Sequence, residues 1–269
     1  MKDIRVAAVV CRCPAGNTKA NLDHMAEFVK EAKTQGVAVI CFPEMNITGY
    51  GLHPDVKKIA EPVPGPATHI LRKMAQKEQI VILAGLAEKD EKGCIFACHL
   101  VVLPNGHVQT YRKLHIAPPE QDLYTAGNEV PLFEANGVTF AIQLCYDAHF
   151  PELSTLMAIK GAEIIFMPHA SPRGTSLEKR KSWLRHLPAR AFDNGVFIIA
   201  CNQTGENGEG LDFPGIAMVI GPSGEILKED QSGREALLIA DLKTADLDRV
   251  RNHPMRYFLP NRRPDIYAK

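Results

Sequence analysis

The chain repeats a helix–glycine–strand unit, and this repeat restricts its fold more than any other feature. Residues 17–35 place apolar side chains at helical spacing, and Gly36 is expected to end this helix. The apolar run Val37–Phe42 follows and stops at Pro43. The segment Gly161–His169 repeats the pattern, again with seven positions from glycine to proline. Helices that alternate with short apolar strands are typical of parallel or mixed sheets covered by helices.

Two turn sequences support an internal duplication. Pro104-Asn105-Gly106 and Pro222-Ser223-Gly224 each separate two apolar runs, as the turn of a hairpin does. No flexible linker divides the chain, and the glycine-rich stretch 204–215 is expected to be a surface loop. The sequence therefore predicts one α/β domain over residues 1–269, with two similar halves that face each other. The alternative is that such units simply recur, as they do in many α/β proteins.

Charge and composition argue against several broad classes. The 31 Lys and Arg residues balance the 31 Asp and Glu residues, so no overall charge attracts the chain to nucleic acid or to an anionic membrane. No apolar run approaches the roughly 18 residues of a membrane span. The N-terminal apolar run is too short for a signal peptide, which predicts a cytoplasmic location with reduced cysteines. The ten histidines form no recognised ligand motif, so no metal site is predicted.

Polar side chains follow the predicted strands at their carboxyl ends, where α/β sheets bind ligands. They are Glu44, Lys113, Cys145, His169 and Asn202. A carboxylate can act as a general base, an ammonium can stabilise an oxyanion, and a deprotonated thiol can attack a carbonyl carbon. Together these groups indicate acyl transfer through a thioester. Taken singly, each has a structural interpretation, as a solvated glutamate or lysine or as a core cysteine.

Three segments around these residues resemble the motifs of the nitrilase superfamily of carbon–nitrogen hydrolases. They are Phe42–Tyr50, Tyr111–Ile116 and Cys145–Glu152, in the family's order. Further matches are Pro119-Glu120, Arg190–Asn194, Arg262–Pro264 and Tyr267. The resemblance spans nearly the whole chain and implies a four-layer α-β-β-α sandwich. It also implies that the enzyme needs no metal and no organic cofactor, and that outer helices assemble it into a homodimer or a larger homo-oligomer.

The resemblance also implies a role for each motif residue. Cys145 is the nucleophile, Glu44 is the general base, and the ammonium of Lys113 holds the oxyanion. Glu120 matches a second glutamate of the family, which orients the other catalytic groups. The backbone N–H of Tyr146 is expected to bind the substrate oxygen together with Lys113.

The residues after the nucleophile bear on the substrate. Cys145-Tyr146-Asp147 resembles the amidase and carbamoylase branches, whereas true nitrilases more often carry Trp-Glu after the cysteine. The prediction is hydrolysis of an amide or N-carbamoyl group with release of ammonia or an amine. His149, His169, Arg173 and Asn202 are predicted to line the substrate pocket, and His149 and Arg173 favour an acidic substrate.

The sequence is also compatible with other functions. The same three catalytic residues could hydrolyse a nitrile or transfer an acyl group to an amine. A non-catalytic binding protein on this fold would be expected to have lost one of them. A thiol-dependent metalloenzyme would have only His169 and Cys201-Asn202 as candidate ligands. The basic stretch Glu178–Lys181 is expected to be a solvated helix face rather than a nucleic-acid site.

Overall fold

The computed structural model describes residues 1–53 and 55–267, and the side chain of Tyr267 lies outside what it describes. The strands are β1 (Ile4–Val10), β2 (Val39–Cys41), β3 (Val81–Lys89), β4 (Ile95–Val102), β5 (Val108–Arg112), β6 (Phe133–Ala135), β7 (Val138–Ile142), β8 (Ile164–His169), β9 (Phe197–Asn202), β10 (Thr204–Glu206), β11 (Asp212–Pro214), β12 (Ala217–Ile220), β13 (Ile226–Asp230) and β14 (Ala236–Leu242). The α-helices are α1 (Thr18–Thr34), α2 (Val56–Ile59), α3 (Pro66–Glu78), α4 (Pro151–Ile159), α5 (Ser176–Trp183), α6 (Leu187–Asn194), α7 (Thr244–Arg251) and α8 (Pro264–Tyr267). Short 3₁₀ helices lie at Pro118–Glu120, Cys145–His149 and Leu259–Asn261.

Two six-stranded sheets have the same topology. The first has the order β14-β1-β2-β3-β4-β5, and the second, read from its matching edge, has the order β6-β7-β8-β9-β12-β13. In both sheets an antiparallel pair is followed by two parallel pairs and then by two antiparallel pairs. The predicted division into two similar α/β halves is therefore confirmed.

The two sheets pack face to face, with helices on their outer sides. The apolar stripes of α1 and α3 pack on the outer face of the first sheet. The helices α4 and α6 pack on the second sheet, and the inner faces of the two sheets share one large apolar core. The predicted four-layer α-β-β-α sandwich is the observed architecture.

Glycine stops α1 as the sequence predicts. The buried side chains of this helix include Leu22, Met25 and Val29, which recur at helical spacing. Gly36 follows in the left-handed region, with φ of 73°, and the chain turns into β2. A short apolar run after a glycine stop thus becomes a buried strand that directs Glu44 beyond the sheet.

The glycine-rich stretch 204–215 differs from the prediction of a surface loop. Its ends form an antiparallel pair, β10 with β11, in register from Thr204 opposite Pro214 to Glu206 opposite Asp212. The expectation was wrong because the run lacks the apolar alternation that usually marks strands, and its turn has several glycines at positive φ. This hairpin contacts the segment after β8, since the Arg173 N–H donates to the Asp212 carbonyl at 2.8 Å.

In the part of the chain that the structure describes, no helix combines the length and the apolar character that crossing a membrane would require.

Candidate active site

A buried lysine lies at the centre of the candidate site. Lys113 follows β5, and its Nζ lies 2.9 Å from Glu44 Oε1 and 2.9 Å from both carboxylate oxygens of Glu120. All three side chains are buried. Burial alone would lower the pKa of Lys113, but the two carboxylates outweigh it and the pKa is raised. Lys113 is therefore a fixed positive charge.

Glu44 is held on both sides by groups from the second half of the chain. Its Oε2 accepts the Ala170 N–H at 3.0 Å, just beyond β8, and its carbonyl accepts Gln203 Nε2 at 2.7 Å. Burial raises the pKa of Glu44 to about 7, Lys113 opposes the shift, and the Glu120 charge adds to it. A carboxyl group with such a pKa can both take up and return a proton near neutral pH.

Glu120 is placed to orient the lysine. It ends the 3₁₀ helix Pro118–Glu120, where its Oε1 accepts the Tyr50 hydroxyl at 2.9 Å and its Oε2 accepts the Ala117 N–H at 3.1 Å. Both oxygens also contact Lys113 Nζ. With its acceptors used in this way, Glu120 is better placed to fix Lys113 than to exchange a proton with a substrate.

Cys145 occupies an unusual backbone position. It opens the 3₁₀ helix Cys145–His149 directly after β7, and its φ of 42° lies in the left-handed region that non-glycine residues rarely adopt. Burial raises the pKa of its thiol to about 12, and the Glu44 charge adds to this shift while Lys113 opposes it. The resting thiol is therefore neutral and needs a base before it can attack.

Asp147 holds the turn that carries Cys145, a role that the sequence analysis missed. One of its buried oxygens accepts the Tyr111 hydroxyl at 2.7 Å and the Leu144 N–H at 3.0 Å. The other accepts the His115 N–H at 2.9 Å and lies 2.8 Å from His115 Nδ1. The nucleophile turn and the lysine segment are thus tied together by one carboxylate. The available signal was an acidic residue two positions after the nucleophile, directly beyond an apolar strand.

His169 and Asn202 lie at the site, but their side chains contact protein groups. His169 Nδ1 is 2.7 Å from the Met167 carbonyl, and its ring packs 4.7 Å from Trp183. Asn202 exchanges two hydrogen bonds, of 2.9 and 3.0 Å, with the backbone of Ser171. These contacts fix the segment that holds Glu44, and direct substrate binding by His169 and Asn202 stays a prediction.

His149 and Arg173 are more exposed than the other candidates. The His149 ring stacks on His186 with 4.5 Å between centroids, and burial followed by the Arg190 charge lowers the pKa of His149. Arg173 has a φ of 69° and an exposed side chain. Their predicted contact with an acidic substrate, and the predicted oxyanion contact of the Tyr146 N–H, stay predictions.

Glu178–Lys181 was expected to be a solvated helix face, and Glu178 and Lys181 are indeed exposed, but Lys179 differs from this expectation. It is half-buried, and its Nζ donates to Ser171 Oγ at 2.6 Å. Residues 178–181 alone give no reason to bury it, because all four are charged. The missed signal is Trp183, four residues later on the same face of α5.

The described residues contain no group of three or more His, Cys, Asp or Glu side chains arranged to hold a metal ion. His169 and Cys201, the weak candidates from the sequence, instead contact backbone carbonyls, those of Met167 and Cys41.

The chain matches known proteins over nearly its full length. The family model for carbon–nitrogen hydrolases matches residues 5–252. The chain belongs to the carbon–nitrogen hydrolase family. It is 31% identical to the 2-oxoglutaramate amidase of Bacillus subtilis, covering 90% of this chain and 91% of the relative. It is 28% identical to the N-carbamoylputrescine amidase of Oryza sativa, covering 98% and 93%.

A solved structure shows the same fold. The NitN amidase from Nesterenkonia sp. AN1 superposes with a TM-score of 0.85 at 25% identity, covering 98% of each chain. The predicted resemblance to the nitrilase superfamily is confirmed, and so is the four-layer sandwich. As a member of the carbon–nitrogen hydrolase family, the chain is a cysteine-dependent hydrolase of non-peptide carbon–nitrogen bonds.

Proposed function

We propose that this hydrolase cleaves small carboxamides or N-carbamoyl compounds, with Cys145 as nucleophile, Glu44 as base, Lys113 as oxyanion ligand and Glu120 as the residue that orients Lys113. One observation supports the proposal most: the permanently charged ammonium of Lys113 lies between two buried carboxylates. The charges of Glu44 and Lys113 also both shift the pKa of the neutral Cys145 thiol, whose backbone conformation is strained.

Acylation begins when Glu44 takes the proton from Cys145 Sγ, and the sulfur then attacks the substrate carbonyl carbon. Negative charge develops on the carbonyl oxygen, where the Lys113 ammonium and the Tyr146 N–H stabilise it. Glu44 passes the proton to the leaving nitrogen as the carbon–nitrogen bond breaks. Ammonia or an amine departs, and a thioester remains on Cys145.

Deacylation uses the same base. Glu44 takes a proton from water, the resulting hydroxide attacks the thioester carbon, and the proton returns to Cys145 Sγ as the carbon–sulfur bond breaks. The products are a carboxylic acid from an amide, or carbamic acid from a carbamoyl group. A pKa of about 7 suits Glu44 to both proton transfers.

An amide or carbamoyl substrate is favoured over a nitrile by the residues beside the nucleophile. Tyr146-Asp147 follows Cys145 where the nitrilase branch more often has Trp-Glu, and two of the relatives are named as amidases. Relatives named as nitrilases from Schizosaccharomyces pombe and Pyrococcus abyssi also match, so nitriles belong in the test.

The test is release of ammonia or amine from a panel of ω-amides, aliphatic amides, N-carbamoyl amino acids, N-carbamoyl amines and nitriles. The proposal expects turnover of amides or carbamoyl compounds and little or none of nitriles. Preferred turnover of nitriles would contradict the proposal and identify the protein as a nitrile hydrolase. Turnover only when an amine acceptor is added would identify an acyltransferase. No turnover of any compound would support the alternative of a non-catalytic binding protein.

Activity is expected to rise with pH and to level off above about 7. Glu44 must be ionised to accept the thiol proton, and burial raises its pKa to about 7. Below that value kcat/KM should fall by about tenfold per pH unit. Initial rates between about pH 5 and 9 test this. The control is Glu44→Gln, whose residual activity should not show the fall in kcat/KM at low pH. A wild-type profile that is flat across the range would exclude Glu44 as the base.

We also propose that the protein is a homodimer or larger homo-oligomer that forms through its outer helices. On α4, Leu156 and Ile159 are 44% and 49% exposed, and on the neighbouring α6 Phe192 is 43% exposed. The Phe192 ring lies 5.4 Å from that of Phe258, which extends the apolar surface. Large apolar patches on a soluble protein usually mark an interface.

Ile159→Glu is therefore expected to convert the assembly to smaller species, because it buries a charge in the interface. Light scattering coupled to size-exclusion chromatography gives the mass. Ile70→Glu is the matched control, since Ile70 is 46% exposed on α3 of the opposite outer layer. A wild-type monomer, or equal effects of the two changes, would contradict the proposal.

We also propose that the protein is cytoplasmic. All seven cysteines are free, which agrees with a reducing compartment.

A further inference from the structure

Lys179 points from α5 toward Ser171, in the segment that follows β8. Lys179 and Trp183 are four residues apart and share one face of α5. Trp183 is buried, and its ring lies 4.7 Å from His169 at the end of β8. The opposite side of α5 carries the exposed residues Leu177 and Glu178. The lysine therefore lies on the inner face of the helix.

A short chain of contacts connects Lys179 to the general base. Lys179 Nζ donates to Ser171 Oγ at 2.6 Å, and Asn202 fixes the Ser171 backbone with two hydrogen bonds. The residue before Ser171 is Ala170, whose N–H holds Glu44 Oε2 at 3.0 Å. Lys179 thus contacts the residue that directly follows Ala170, the residue whose N–H positions Glu44.

The charge of Lys179 has no protein partner among the described residues. No carboxylate there lies within 4.0 Å of its Nζ, and the one polar contact, Ser171 Oγ, is neutral. An ammonium has three donors, so two remain free. Burial lowers the pKa of Lys179, while charge on Cys145 acts in the opposite direction, so the two groups sense each other. A half-buried cation without a carboxylate partner is costly unless a ligand supplies the anion.

We propose that Lys179 binds a carboxylate of the substrate, and that the substrate is a small amide or N-carbamoyl compound whose carboxylate lies a few carbons from the scissile bond. This inference rests on the proposed function and adds the substrate class. The substrate carboxylate could lie on either side of the scissile bond. The carboxylate lies on the acyl side in an ω-amide of a dicarboxylic acid, and on the amine side in an N-carbamoyl amino acid.

Lys179 suits this role better than the two residues suggested by the sequence. Arg173 is exposed, so water screens its charge. His149 has a lowered pKa, which favours its uncharged form. Lys179 combines partial burial with free donors, and charge-assisted hydrogen bonds are strongest where water is excluded.

The test compares each anionic substrate with a neutral analogue of the same shape. The pairs are succinamate with isocaproamide, and N-carbamoyl-β-alanine with isoamylurea. Wild type, Lys179→Met, Lys179→Arg and the control Lys181→Met are assayed for kcat/KM on all four compounds. Lys181 is an exposed lysine on the same helix, so its change tests the effect of losing a positive charge there. Circular dichroism confirms that each variant is folded.

Wild type is expected to prefer the anionic member of at least one pair. The preference ratio should fall by about 10- to 100-fold in Lys179→Met, recover largely in Lys179→Arg, and stay the same in Lys181→Met. The pair that responds identifies the side of the bond on which the carboxylate lies. Binding of the same anionic compound to the inactive Cys145→Ala variant should weaken by a similar factor when Lys179→Met is added.

Two results would overturn the inference while leaving the proposed function in place. One is a wild type that hydrolyses neutral and anionic members equally well. The other is a Lys179→Met variant that loses activity on both members by the same factor. If wild type releases no ammonia or amine from any amide or carbamoyl compound in the panel, the proposed function fails and the inference fails with it.

Discussion

Cys145→Ala is expected to abolish hydrolysis, with kcat lower by at least about 10⁴-fold, while the chain stays folded. The two buried carboxylates cannot take over as nucleophile, since Glu44 and Glu120 are both engaged with Lys113. The fold should tolerate the change because the thiol is small and makes no hydrogen bond that holds the 3₁₀ turn. Asp147 supplies those bonds, through the Leu144 N–H among others.

Cys94→Ala is the matched control, because Cys94 is also a half-buried free thiol but precedes β4 on the first sheet. It should retain wild-type kcat. Ammonia or amine release that survives Cys145→Ala within about tenfold of wild type would rule out covalent catalysis through this residue.

Lys113→Met is expected to remove activity and also to destabilise the fold by about 3–5 kcal/mol near pH 8. The change leaves Glu44 and Glu120 buried without their shared cation. Folding then requires the carboxyl groups to be protonated, which raises their folded-state pKa values above the unfolded ones. Stability linked to a raised carboxyl pKa is present at low pH and is lost as pH rises. The destabilisation should therefore be smaller at about pH 5 than at about pH 8.

Urea unfolding at the two pH values measures this difference. Lys243→Met is the control, because Lys243 pairs with Asp3 where both side chains are more than half exposed, and it should cost less than about 1 kcal/mol. A Lys113→Met variant whose loss of stability is small, or is the same at both pH values, would contradict the buried cluster of charges described here.

The candidate residues of the site could be named from sequence because strand ends are local features. Glu44 and Cys145 each follow a mostly apolar run that stops abruptly, and Lys113 follows the more polar strand β5. In α/β sheets such strand-end residues gather where ligands bind. The repeat of helix, glycine and strand likewise predicted the two halves that the sheet orders confirm. The prediction that residues 1–269 form a single domain stays a prediction.

Long-range contacts were not predictable in the same way. Asp147 gains its importance from Tyr111 and His115, which lie more than 30 residues earlier in the chain. Lys179 is half-buried because it shares a helix face with Trp183, which packs on His169, and a run of charges gives no sign of that. The hairpin of β10 and β11 depends on the turn chemistry of glycines rather than on apolar periodicity.

Detection of the acyl-enzyme is the most direct test of the account. Wild type would be mixed with an acyl p-nitrophenyl ester, quenched during the first turnover, digested and analysed by mass spectrometry. If Cys145 is the nucleophile, a burst of p-nitrophenol close to one equivalent per site is expected, with an acyl group on the peptide that contains Cys145. Steady release without a burst and without an adduct, or an adduct on another residue, would contradict the claim that Cys145 is the nucleophile.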